Sequence, residues 1–391
     1  MKLRILRNLV PSVLIGVGVG ITSTAFLFAL HAVTELRLTH PKLIIGLPLA
    51  GLLTGAISIY CGPSVTLGIR RIVDEIHAPA TRIPLIMAPY IFLTTLLTHG
   101  FGGSAGREGS VVQIGATVSE SVSQWLRVHP EDRRRLLMAG AAAGFGAGIG
   151  APLAGAIFGI EFWNTRWNSW RGLLETTLAS AVATTVARYM HAPHTRWISG
   201  AICPPLSWRL CLTMIGLGVL FGVLARTYCG VENIFHQVMS RLPYSPIVTP
   251  FIGGSLISLV VVGMRWQIYS GLGIDSINHA LSHSSHWTTP FIKLLITALT
   301  VASGFKGGEF IPLVFMGSSL GSALGPYMGL SIGIGAVMGF GSVFGAASQT
   351  PIASAVMVAE LFGAEWLGYG LLVGVVAAWA AGKKGIYYPS R

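Results

Sequence analysis

The sequence predicts an all-α, polytopic membrane protein with an internal repeat and interrupted helices. Three observations carry this. Only 10% of its 391 residues are charged while 52% are hydrophobic, with a mean hydropathy of +0.67. Apolar stretches follow one another along the whole chain with short polar breaks between them. Glycine-rich motifs recur in the same order about 200 residues apart. A soluble domain carries roughly 25% charged residues, so the apolar excess here must face lipid or other apolar helices. These features exclude a soluble enzyme, a nucleic-acid-binding domain, a disordered chain and a single-span anchor. The net charge of +12 does not indicate nucleic acid. Its basic residues lie mostly between apolar stretches, where they orient loops toward the cytoplasm and raise the local anion concentration at a pore mouth.

The elements follow in chain order. Lys2, Arg4 and Arg7 precede an apolar run from Leu9 to about Ala32 that is long enough to span. Its apolar core is too long for a cleaved signal peptide, and the flanking charges place the N-terminus in the cytoplasm. Further apolar stretches run over 43–61, 83–101, 136–162, 173–189, 209–228, 247–265, 289–304, 311–345 and 351–382. The longest are interrupted by glycines and predict two helices each, for about fourteen or more helical segments, some not fully spanning. With no water to satisfy backbone groups, helices are the default. The polar breaks are 70–82, 127–135, 164–171, 191–200 and 276–289. The whole chain, 1–391, reads as one transmembrane transport domain with repeat halves of about 1–200 and 201–391. Cys61, Cys203, Cys211 and Cys229 have neither CxxC nor zinc spacing, and the histidines form no HExxH, so no metal or cofactor is expected.

The repeat is specific. Gly106-Arg107-Glu108-Gly109 has a partner in Gly307-Gly308-Glu309-Phe310. Gly140-Ala141-Ala142-Ala143-Gly144 leads to Pro152 and then Glu161, as Gly341-Ser342-Val343-Phe344-Gly345 leads to Pro351 and then Glu360. Leu67-Gly68-Ile69 echoes Leu272-Gly273-Ile274. A glycine-interrupted segment in each half points to a transporter-type site at the repeat interface.

Glu108 and Glu309 are the residues that carry chemistry. Each follows glycines that let the backbone break and leave amide N–H groups free. A helix starting near Glu108 aims its positive end at whatever precedes it, which makes an anion site built mostly of backbone. A glutamate there competes with the anion when ionised and withdraws when protonated. Intramembrane ionisable groups are costly and generally serve a pathway. Lys306 is a candidate ion-pair partner for Glu309. Tyr387 and Tyr388 lie beyond the last apolar stretch, where a phenol ordinarily anchors at the interface. Glu161 and Glu360 end apolar runs, and Glu360 reads as structural. Gly103-Ser104-Ala105-Gly106 with His99 nearby is the remaining alternative, an intramembrane serine protease.

Together these motifs resemble the CLC family of chloride channels and anion/proton antiporters. Gly106-Arg107-Glu108-Gly109 is similar to its gating-glutamate motif, and Gly308-Glu309-Phe310-Ile311-Pro312 to its second pore motif. The stretch from Gly140 through Ala151-Pro152-Leu153-Ala154-Gly155 to Glu161 matches the signature between them. Gly385-Ile386-Tyr387 is similar to the region of its pore tyrosine. The resemblance spans residues 10–390 and implies an inverted-repeat helical transporter, usually a homodimer in lipid with one pore per subunit, and not an enzyme.

Departures refine it. The chloride-type GSGIP motif is replaced by Thr66-Leu67-Gly68-Ile69-Arg70, and Phe162 stands where chloride/proton exchangers place a proton-transfer glutamate. Gly-Gly-Glu at 307–309, Asp74-Glu75-Ile76-His77 and the segment from Thr98 to Glu108 resemble the fluoride/proton antiporter branch. Phe310 and Ile311, in contrast, stand where that branch has Val-Thr, and Phe310 is similar to the chloride branch. The resemblance therefore implies fluoride export coupled to protons. Glu108 is then the gate and Glu309 a second carboxylate. Backbone at Gly68, Ile69, Gly106, Arg107, Gly109, Phe310 and Ile311 lines the anion path, and Tyr387 closes it. Fluoride is small and strongly hydrated, so stripping its water calls for close, well-aimed N–H donors, and a protonated carboxyl can donate one more. The alternative of the same class is a chloride channel or chloride/proton exchanger. The expected setting is a bacterial inner membrane.

Overall fold

The computed structural model describes residues 2–79, 81–163, 172–241 and 246–387. The described residues form seventeen α-helices and no β-strand, with an isolated bridge between Gly106 and Gly308. The first half comprises α1 (Lys2–Thr39), α2 (Leu47–Cys61), the single turn α3 (Pro63–Thr66), α4 (Ile69–His77), α5 (Met87–Gly100), α6 (Glu108–Trp125), α7 (Pro130–Ile149), α8 (Pro152–Glu161) and α9 (Leu173–Tyr189). The second comprises α10 (Trp208–Ser240), α11 (Val248–Gly263), α12 (Ile274–Ser282), α13 (Thr289–Ala302), α14 (Phe310–Leu324), α15 (Ile332–Ser348), α16 (Pro351–Phe362) and α17 (Leu367–Ala381).

The three longest apolar stretches do divide, into α7 and α8, α14 and α15, and α16 and α17. Each break has a local cause. Pro152 and Pro351 stand at the first position of α8 and α16, where a missing N–H costs nothing. The residues that end α7 and α15, Gly150 and Gln349, both adopt positive φ. Three segments taken as polar breaks are partly helical: α7 begins within 127–135, and two short helices lie in the others, α4 over most of 70–82 and α12 entering 276–289. The charged residues of α4 and α12 concealed short amphipathic helices, each started by a glycine with positive φ, Gly68 (+59°) and Gly273 (+77°). Among the described residues, four helical segments are long and apolar enough to cross a membrane: Leu9–Thr39, Pro41–Cys61, Trp208–Ser240 and Ala364–Ala381.

Packing shows how the halves are inverted. Gly16 and Gly20 of α1 meet Val182 and Val186 of α9, so these helices run parallel. Gly218 and Gly222 of α10 meet Val376 and Ala377 of α17 in the same way. The segment joining the end of α9 to the start of α10 touches the start of α17. Cys203 Sγ contacts the Glu365 carbonyl at 3.4 Å, and Tyr369 Oη donates to the Pro204 carbonyl at 3.3 Å. The second parallel pair therefore begins where the first ends and runs back.

Contacts between halves are symmetric. On α2, Gly51 and Gly55 lie against the backbone at Pro250 and Pro246, while Gly254 of α11 lies against Leu47, an antiparallel pair. Glu161, at the end of α8, accepts from the N–H groups of Ile352 (3.0 Å) and Ala353 (2.7 Å) in the first turn of α16. Glu360, at the end of α16, accepts from Leu153 (3.0 Å) and Ala154 (2.8 Å) in the first turn of α8. Each carboxylate satisfies donors that the helix of the other half cannot satisfy itself. The structural role expected for Glu360 is thus realised, and Glu161 shares it.

Glycines set the helix spacing in both halves. Gly115 of α6 faces Gly140 of α7, and Gly317 of α14 faces Gly339 of α15, carbonyl oxygens against Cα atoms. A methyl at Gly317 would land on the Gly339 carbonyl oxygen, backbone that cannot swing aside. Gly317→Ala is expected to destabilise by about 3 kcal/mol or more. Thermal unfolding in detergent, followed by size-exclusion chromatography, checks this; an unchanged midpoint would show that α14 and α15 can separate freely.

Candidate anion and proton pathway

Three segments converge at the centre. The loops before α6 and α14 cross as an antiparallel bridge, Gly106 N–H to the Gly308 carbonyl at 2.5 Å and Gly308 N–H to the Gly106 carbonyl at 2.6 Å. No side chain fits there: a Cβ on Gly109 would lie 2.9 Å from Gly308 Cα, and one on Gly308 would lie 2.6 Å from Gly109 N. A Cβ on Gly106 would meet Ile311 N at 3.0 Å, which places the first turn of α14 against the segment leading into α6. The start of α4 joins them, since a Cβ on Gly68 would lie 2.9 Å from Gln113 Oε1 of α6. Gly68 and Ile69, Gly106 and Arg107, and Phe310 and Ile311 thus mark three helix starts brought to one region.

The bridge corrects the repeat register. Gly102 and Gly304, both with positive φ, and Gly106 and Gly308 are equivalent pairs. By that register Arg107 corresponds to Glu309, and both cap a helix with similar backbone angles. Glu108, the first residue of α6, corresponds to Phe310. The sequence match of Glu108 to Glu309 is one residue out, because aligning the two acids outweighed the glycines that fix the backbone. The two carboxylates therefore stand at different depths relative to their own helices.

Glu108 is 1% exposed. Its carboxylate folds back on the preceding residue, accepting from Arg107 N at 3.2 Å and Arg107 Nε at 3.3 Å. Arg107 also donates from Nη2 to Thr195 Oγ1 at 3.1 Å. It lines a cavity of about 470 Å³ at the C-terminal end of α1, together with His31, Arg37, His194 and Asp275. Glu309 accepts from the buried Tyr228 hydroxyl at 2.7 Å. Lys306 does not pair with Glu309; its Nζ reaches the Thr66 carbonyl at 3.2 Å, at the end of α3. The short turn before Gly68 leaves that carbonyl needing a donor, and Lys306 supplies it.

Tyr387 is buried at 8% exposure, and its ring meets the edge of Phe162 at 4.5 Å. Its hydroxyl lies within electrostatic reach of both Glu309 and Glu108. It is therefore a central group rather than an interfacial anchor; Tyr388 lies outside the described residues. The Phe310 ring makes edge-to-face contacts with Phe145 (5.8 Å) and Phe344 (4.7 Å). The protease alternative fails on geometry. Ser104 Oγ is bonded to Thr297 Oγ1 at 2.8 Å, and both His99 ring nitrogens face backbone carbonyls, of Thr95 (2.8 Å) and Ala105 (3.1 Å). The imidazole has no nitrogen directed at the serine.

Sequence reasoning missed two residues here, Tyr228 and Gln113. Tyr228 is fully buried on α10, at the end of an apolar stretch, where the sequence offers no sign of what its hydroxyl meets. Gln113 donates from Nε2 to the Gly109 carbonyl at 3.0 Å, and its Oε1 is buried with no hydrogen-bond partner. An amide one turn beyond Glu108 was the available signal.

Interrupted helices whose starts meet at mid-protein, with the buried Glu108 and the half-buried Glu309 among them, define an inverted-repeat membrane transporter. A profile for the family described as voltage gated chloride channel matches residues 50–382, and the chain belongs to this CLC family. A chloride/fluoride channel protein of Pseudomonas syringae pv. tomato is 35% identical, over 97% of this chain and 85% of that one. The H(+)/Cl(-) exchange transporter ClcA of Vibrio vulnificus is 27% identical, over 96% of this chain and 87% of that one. Among solved structures, a CLC-type fluoride/proton antiporter superposes with a TM-score of 0.94 at 30% identity, covering 99% of this chain and 98% of that one. A slow cyanobacterial Cl-/H+ antiporter superposes at 0.80 and 22% identity, over 97% and 96%, and shares the fold. The relatives are transport proteins, and this chain is an integral membrane protein of that kind.

Proposed function

We propose that the protein exports fluoride in exchange for protons. The observation that carries this is the placement of Glu108 and Glu309 at two helix starts held by one glycine bridge, with Tyr387 in reach of both. Backbone N–H groups at the starts of α4, α6 and α14 bind the anion, and Glu108 gates it by occupying or leaving that place. Similarity to a fluoride/proton antiporter and to a chloride/fluoride channel protein supports fluoride as the substrate. The chain acts as one transport domain with halves meeting near residue 200, as a homodimer in lipid. The basic residues at the N-terminus put that end in the cytoplasm, and the bacterial relatives support an inner-membrane location.

Proteoliposomes loaded with either halide test the reading. Fluoride efflux through an ion-selective electrode is expected to exceed chloride efflux at least tenfold, a difference of about 1.4 kcal/mol in barrier. Equal rates would favour the chloride reading, which Phe310 in the second pore motif supports.

A further inference from the structure

A cavity of about 670 Å³ opens at the C-terminal ends of α10 and α17. Its charged lining is mainly basic, from Arg70, Arg226, Lys383 and Lys384, with His236 beside them. Such a lining concentrates anions and repels protons. Glu232 is the only carboxylate among the described residues that line it. It sits on α10 one turn after Tyr228, which donates to Glu309. Helical side chains lean toward the helix N-terminus, so Glu232 leans from the cavity toward Tyr228. Residues four apart share a face. Glu232 and Glu309 lie within electrostatic range of each other, and Arg70 on α4 lies within range of both and lines the same cavity as Glu232. Cys229 on the same helix also lines the cavity. Beside Tyr387 the side chain at 162 is a phenylalanine, which packs against that ring and against Phe158 at 4.8 Å and cannot carry a proton.

We propose that Glu232 carries protons between Glu309 and this cavity, through the Tyr228 hydroxyl. The relay rests on the fluoride/proton exchange proposed above. Protonated Glu309 gives its proton to the Tyr228 oxygen as the Tyr228 O–H proton passes to the Glu232 carboxylate. The tyrosine ends neutral, Glu309 ends as carboxylate and Glu232 as carboxylic acid, which then releases the proton to cavity water. Rotation of the hydroxyl back to Glu309 resets the chain. A hydroxyl both donates and accepts, and this step needs both. Anion and proton would then share one vestibule yet use different groups: the cations collect fluoride, and the lone acid takes the proton.

The test measures fluoride-driven proton uptake in proteoliposomes, alongside fluoride binding by calorimetry in detergent. Wild type is expected to couple the two. Glu232→Gln should slow coupled exchange at least tenfold with fluoride binding unchanged, and Glu232→Asp should restore most of the rate. Glu232→His should exchange with a pH midpoint moved toward that of an imidazole, about 6.5, a shift no purely structural role produces. Coupled exchange at the wild-type rate in Glu232→Gln overturns the relay while leaving fluoride/proton exchange intact. Loss of fluoride binding together with exchange also overturns it, by showing a structural role. Absence of proton coupling in wild type overturns both.

Discussion

Glu108→Gln is expected to abolish fluoride-driven proton movement, leaving no more than the leak of empty liposomes. Glutamine keeps the size of the side chain and can still bond to the Arg107 backbone, so the fold should persist. It cannot carry a proton. It imitates the protonated state, in which the carboxyl no longer competes with the anion at the start of α6. Fluoride flux should continue, uncoupled from pH. Simultaneous recording with fluoride and pH electrodes separates the two flows. Proton movement at the wild-type ratio in this variant would remove Glu108 as the gate.

Glu309→Gln is expected to lower coupled exchange by two orders of magnitude or more, because the second proton site is lost while the backbone donors of α14 remain. Tyr228→Phe should be milder. A hydrogen bond to a charged group contributes about 1.5–3 kcal/mol, which corresponds to roughly a tenfold to hundredfold loss. The comparison is informative because Tyr228 bonds to the Glu309 side chain, so its loss leaves the backbone N–H groups of the helix starts in place. Equal exchange in Tyr228→Phe and wild type would mean that the 2.7 Å contact plays no part in transport. A loss of fluoride binding in Glu309→Gln would place that residue on the anion path instead.

Much of this architecture was readable in the chain. Glycine before Glu108 and Glu309, and proline at 152 and 351, have local consequences: a broken helix, a free N–H, a first turn without a donor. Those consequences need no tertiary information, and the structure shows helix starts at each of these places. Charge patterns were less faithful. Arg70, Asp74 and Glu75 read as a loop, yet they lie on α4, whose Glu75 is held by Thr81 (2.8 Å) just beyond the helix and by Arg133 (3.2 Å) of the distant α7. Contacts between halves were the least legible. Glu161 and Glu360 were recognised as equivalent, but nothing local says that each reaches across to the other's helix. Tyr228 illustrates the same limit. Its partner lies 81 residues away and is chosen by packing that no periodicity reports. The one-residue error in aligning Glu108 with Glu309 arose because chemically similar side chains were matched in place of backbone conformations.

The crossed bonds of Glu161 and Glu360 bear on how such a chain could have originated. Neither half is self-sufficient: alone, it would leave two amides and a carboxylate without their partners. A half-length ancestor must already have met a second copy inserted upside down before fusion joined them. Severing the backbone between α9 and α10 should accordingly yield fragments that reassemble when made together and are degraded when made apart.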